Sequence, residues 1–133
     1  LIERLTEFMD NIRSFFKNIW LYRILAITCY LVATVLFFSP IDPNSTDLFP
    51  HFDKFAHCIV FFSLAGLTEF SLKNKSVWII LGLIFYGGAV EVLQGQFFNR
   101  EASFLDLMAD ISGIAFFYLF LTKTKLSCFR SWV

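Results

Sequence analysis

Three ionisable residues, Asp53, Lys54 and His57, stand within five positions at the mouth of an apolar segment, "FDKFAHCIVFFSL" at residues 52–64. Asp53 and His57 are four apart and so share a helix face. An imidazole beside a carboxylate is a pairing used in general acid–base chemistry. Further along, Glu91 and Gln94 are three apart in "EVLQ", and Asp106 and Asp110 are four apart in "SFLDLMADISG", so each pair also falls on one face. Arg100 lies between them, just ahead of Ser103.

The set offers a definite chemistry. His57, oriented by Asp53, is the candidate general base, and Glu91, partly desolvated, is the candidate acid. Asp106 completes the candidate catalytic group. Lys54 and Arg100 are suited to hold a phosphate or carboxylate, Arg through a bidentate fork. Gln94, Ser103 and Asp110 complete the candidate substrate-binding group, with Ser103 also a weak nucleophile candidate. There is no nucleophile elbow and no metal motif. One ion reached by His57, Glu91, Asp106 and Asp110 is a further reading, but no resident metal or other cofactor is expected.

The elements that must position these residues are legible in the apolar runs. The chain of 133 residues is 57% hydrophobic and only 17% charged, with 19 Phe and a mean hydropathy of +0.66. Soluble domains carry about 25% charged residues, so the apolar excess must be covered by lipid or partners. Four runs stand out: 21–39, 55–70, 77–94 and 104–121. A spanning helix needs roughly 20 mostly apolar residues. The first run meets this cleanly; the others do so once their polar ends are counted at headgroup level. None alternates as a strand would, and in lipid only helices and closed barrels satisfy the backbone. The expected fold is an all-α membrane protein, a bundle of four transmembrane helices.

Residues 1–19 precede the bundle. Leu1, Leu5, Phe8, Ile12, Phe15 and Ile19 form one apolar stripe at helical spacing, with Glu3, Arg4, Glu7, Asp10, Arg13 and Lys17 between them. This predicts an amphipathic interfacial helix, or else a helix that binds a partner. The transmembrane domain is expected over 20–121 and a basic tail over 122–133. No signal-peptide cleavage pattern is expected near the start. The three cysteines, Cys29, Cys58 and Cys128, match no zinc or redox spacing and predict no structural disulfide.

Charge assigns a topology. Arg13, Lys17 and Arg23 flank the first span, Lys73 and Lys75 fill the second loop, and Lys123, Lys125 and Arg130 fill the tail. The first loop carries Asp42, Asp47 and Asp53. Basic residues follow the cytoplasmic side, so both termini are expected there and the first and third loops outside. Every candidate site residue then collects at the outer face. The inner loop and the tail are expected to hold only scattered Lys and Arg. His57, Glu91 and Asp110 each lie about one turn inside a span, where ionisable groups are functional candidates by default. Ala109 and Gly113 form a small-xxx-small pair, and Gly87 and Gly88 stand one turn before Glu91, where another helix can approach. A formal net charge of zero and the lack of a binding motif exclude nucleic acid as a partner.

Taken in order, "DKFAH", "EVLQ", Arg100 and "SFLDLMADISG" resemble the VanZ-like family of small bacterial membrane proteins. The pattern is Asp-Lys-x-x-His, then Glu-x-x-Gln, an Arg in the following loop, and Asp-x-x-x-Asn with a Gly close behind. It falls here on Asp53, Lys54, His57, Glu91, Gln94, Arg100, Asp106 and Gly113, and covers roughly residues 20–121. Asp110 stands where the family often has Asn. The resemblance implies a multi-pass protein of the bacterial inner membrane. It also implies a link to teicoplanin, a glycopeptide that binds cell-wall precursors outside the membrane. Three functions stay open: modification of a lipid-linked or envelope substrate, binding or shielding of a lipid-linked cell-wall precursor without chemistry, and a purely structural polar network. Membrane lipid is an expected partner in each.

Overall fold

The computed structural model describes residues 2–16, 18–39, 52–72, 75–97 and 103–124. It contains five helices: α1 Ile2–Phe16, α2 Ile19–Phe38, α3 Phe52–Leu72, α4 Ser76–Phe97 and α5 Phe104–Lys123. Helices α2 to α5 have 20, 21, 22 and 20 residues and are long and apolar enough to cross a membrane. The protein is a multi-pass helical membrane protein. The spans extend past the apolar runs because polar residues such as Asp53 and Lys54 form first turns, where their heads reach headgroup level.

Each span keeps a wide apolar surface outward. Ile24, Ile27, Leu31 and Val35 line one exposed stripe of α2, and Val77, Trp78, Leu81 and Phe85 do the same on α4. In water such surfaces would mark a docking face; on four adjacent spans they are the faces that lipid covers. The interior is narrow and centred on α3, which packs against α2, α4 and most extensively α5. Phe61, Leu64 and Ala65 of α3 meet Leu83 of α4 and Ile114 and Phe117 of α5. Hydroxyls inside the bundle pair across helices, Tyr30 with Thr68 at 3.2 Å and Thr34 with Tyr86 at 2.8 Å.

Small residues set the closest approaches. A Cβ on Gly113 would fall on the Cys58 carbonyl oxygen, so the α5 backbone lies directly on the α3 backbone. Here the Ala109–Gly113 spacing carries its usual meaning. Gly87 has a Cβ position 2.7 Å from Asp110 Oδ2 and 3.2 Å from Phe61, so bare backbone there admits the carboxylate. At Gly82 and Gly88 a Cβ meets nothing within 4 Å.

The first helix ends earlier than the apolar stripe predicts. Asn18 caps α2, its side chain accepting from the Trp20 N–H at 3.0 Å, so Ile19 belongs to the first span and not to α1. Ile2, Leu5, Phe8, Met9 and Ile12 on α1 are exposed. Trp20 carries Arg23 over its ring at 4.9 Å, an amphipathic pair suited to a membrane interface. The first loop, most of the third and the tail beyond residue 124 lie outside the described residues.

Candidate functional site

The chain runs up and down, so α2 and α4 finish where α3 and α5 begin. That end gathers the candidate residues. From the first turns of α3 come Asp53, Lys54 and His57. The last turns of α4 supply Glu91 and Gln94, and the start of α5 supplies Ser103, Asp106 and Asp110. His57, Glu91, Gln94, Asp106 and Asp110 are all buried. Five polar side chains in one interior, in a protein covered by lipid, require mutual partners.

Those partners cross between helices. His57 Nδ1 lies 2.9 Å from Asp110 Oδ1, linking α3 to α5 with both side chains at most 2% exposed. The His57 ring stacks on Phe37 of α2, centroids 4.5 Å apart. Lys54 Nζ donates to Asp106 Oδ1 at 2.8 Å. The Ser103 N–H donates to Glu91 Oε2 at 3.0 Å, joining α4 to the start of α5. Gln94 Nε2 donates to the Phe37 carbonyl at 2.5 Å, satisfying an acceptor in the last turn of α2 that the helix itself leaves open. One atom stands apart: Glu91 Oε1 is buried and has no hydrogen-bond partner among the described residues.

The geometry gives partners that spacing along the chain does not foretell. The close partner of His57 is Asp110, not Asp53, whose Oδ1 is 4.0 Å from Nε2 and whose side chain is 43% exposed. Spacing along one helix puts Asp53 on the same face, but a neighbouring helix brings Asp110 closer. Asp110, expected to bind substrate, lies within hydrogen-bond distance of the imidazole. Ser103 is a helix cap: its Oγ accepts from the Asp106 N–H at 3.3 Å. Gln94 ties two helices together. Lys54 is 30% exposed and ion-paired, so its charge is shared with Asp106 before any ligand arrives. Arg100 lies outside the described residues.

One buried acid was not expected. Glu69, near the opposite end of α3, is fully buried; Ser76 donates to its Oε1 at 2.9 Å and Tyr118 to its Oε2 at 2.8 Å. A single acid inside an apolar run is the signal that marks it, while its partners lie on two other helices.

Two overlapping sets could hold a metal ion: Asp53, His57 and Asp106, and His57, Glu91 and Asp110. Within each set, one ligand atom per residue lies within 4.8 Å of the others. The arrangement can thus move a proton at His57, bind an anion at Lys54, or hold a cation among carboxylates. No protein-family model, curated protein or solved structure matches this chain.

Proposed function

We propose that this chain is a VanZ-like protein of the bacterial inner membrane that performs acid–base chemistry on a lipid-linked envelope precursor. The observation that carries the reading is the buried His57–Asp110 pair, 2.9 Å apart, beside a buried Glu91 oxygen without a partner among the described residues. A carboxylate that accepts from Nδ1 leaves Nε2 to take a proton, which is the division of labour a general base needs. Glu91 is the acid of the pair. Lys54, at the rim, meets the phosphate of the head group together with Arg100, and Asp106 holds the ammonium in place until then. The order and spacing of the four motifs support the VanZ-like assignment. Arg23, Lys75 and Lys123 all stand toward the opposite end, which supports a cytoplasmic placement of that end and an outward-facing site. The exposed apolar residues of α1 support its lying in the membrane surface.

The test is mass spectrometry of a lipid-linked cell-wall precursor incubated with purified protein, wild type beside His57→Gln. A new mass with wild type alone is expected. An unchanged precursor under both would remove chemistry on that substrate and leave binding or shielding.

A second reading, a polar lock that fixes helix register, is favoured by the Lys54–Asp106 and Gln94–Phe37 bonds, which join separate helices. Buried polar groups can specify one packing, though not in every protein.

A further inference from the structure

We infer that His57, Glu91 and Asp110 bind one divalent first-row metal cation, of the zinc or manganese class, in the interior of the bundle. The inference rests on reading this cluster as a functional site; with the ion bound the three side chains are deprotonated ligands, so the acid–base roles of His57 and Glu91 belong to the ion-free state.

Three features carry it. The first is the ligand set: one imidazole and two carboxylates from three different helices, with ligand atoms all within 4.8 Å of one another and every residue buried. Two ligands about 2.1 Å from one ion, at angles of roughly 90–110°, sit about 3.0–3.4 Å apart. The His57 Nδ1 to Asp110 Oδ1 distance of 2.9 Å is already close to such an edge.

The second feature is the unpartnered Glu91 Oε1. Its residue is only 6% exposed, and the other oxygen is occupied by the Ser103 N–H. An acceptor buried without a donor carries its full desolvation penalty. A cation is the partner that suits it, because no described side chain donates to it. The third feature is charge. Glu91 and Asp110 bring two carboxylates together where lipid and core residues exclude water. Like charges so placed need a proton or a cation between them. Lys54 is the only Lys or Arg among the described residues at this end, and it is paired with Asp106.

The surroundings fit the ion. Mixed imidazole and carboxylate ligands suit zinc and manganese better than calcium or magnesium, which prefer oxygen alone. Ser103 orients the Glu91 carboxylate through its N–H, as outer partners of ligating carboxylates do. Gly87 leaves room for Asp110 where a Cβ would stand 2.7 Å from Oδ2. The competing set of Asp53, His57 and Asp106 is less suitable, because the Asp53 side chain is 43% exposed and Asp106 is committed to Lys54.

The experiment uses the full chain in detergent, dialysed against chelator and titrated with Zn2+ and with Mn2+ by calorimetry. Bound metal is counted by elemental analysis after desalting. Wild type is expected to bind one equivalent of at least one of the two ions. Even outer-sphere changes weaken metal sites about 10–100-fold, so loss of a ligand in Glu91→Gln should weaken binding by about 100-fold or more. Asp53→Asn should bind like wild type. Circular dichroism and a single gel-filtration peak show that each variant is folded.

Wild type that takes up neither ion would overturn the inference and leave a proton as the balancing charge. Equal binding by wild type and Glu91→Gln would also overturn it, since the ion then sits elsewhere. Loss of binding in Asp53→Asn with retention in Glu91→Gln would move the ion to the other set and reject this one. Failure here is separable from failure of the proposed reaction. A precursor converted in the presence of chelator by metal-free protein removes the ion and keeps the chemistry. One bound equivalent with an unchanged precursor keeps the ion and removes the chemistry on that substrate.

Discussion

Gly113→Ala is expected to lower the melting temperature of the detergent-purified protein sharply, while Gly82→Ala and Gly88→Ala leave it unchanged or slightly raised. The three positions carry the same residue in similar apolar helices, but they differ in what a methyl group meets. At Gly113 it would fall on the Cys58 carbonyl oxygen and stand 3.0 Å from the Phe62 nitrogen, both main-chain atoms of α3 that cannot rotate away. The helices must separate. Overpacking of this kind costs about 1–3 kcal/mol, and a chain of this size loses roughly 3–5 °C per kcal/mol. A fall of about 3–15 °C follows from those two figures. At Gly82 and Gly88 nothing lies within 4 Å, so the better helix propensity of Ala, worth roughly 0.5–1 kcal/mol, acts alone. A melt monitored by circular dichroism checks all three. Unchanged melting in Gly113→Ala would mean that α3 and α5 do not meet as described. The α3–α5 contact also positions His57 against Asp110, so the same substitution should disturb the site.

Asp110→Ala is expected to be the more damaging single change. It removes the close partner of a histidine that is 2% exposed and leaves a void between α3, α4 and α5. Removing one member of a buried charged pair costs about 3–5 kcal/mol, so a melting temperature lower by at least ~10 °C is expected. Asp110→Asn should recover most of that loss. Its amide oxygen can still accept from Nδ1, and its volume is nearly the same. Melting of the two variants beside wild type is the check. Equal loss in both would show that charge, and not the hydrogen bond and filled volume, holds the imidazole.

The spans were legible because each is a long apolar run without alternation, and the gathering of polar residues at one end followed from counting helices up and down. Pairing was harder to read. The four-residue spacing of Asp53 and His57 is a local signal, and it finds only the more distant carboxylate, at 4.0 Å. The closer one, Asp110, lies 53 residues away and becomes a neighbour where Gly113 lets α5 lie on α3. Glu69 was passed over for the same reason, since its partners Ser76 and Tyr118 sit on other helices. The boundary of α1 was misplaced because Ile19 continues the apolar stripe, while the Asn18 cap that begins α2 is a single side chain. Helices are written in local pattern, whereas a site built between helices depends on crossing geometry that local pattern does not carry.

The central claim is that the buried polar cluster serves a reaction and is not only a lock on the bundle. Glu91→Gln tests it most directly, with melting and precursor conversion measured on the same preparation. Gln is nearly isosteric with Glu. It can keep an oxygen toward the Ser103 N–H while removing the acid. The expected result is a melting temperature within about 3 °C of wild type, a change of under ~1 kcal/mol, together with complete loss of precursor conversion. Lowered melting with conversion per folded molecule unchanged would contradict the claim and make the cluster a structural network.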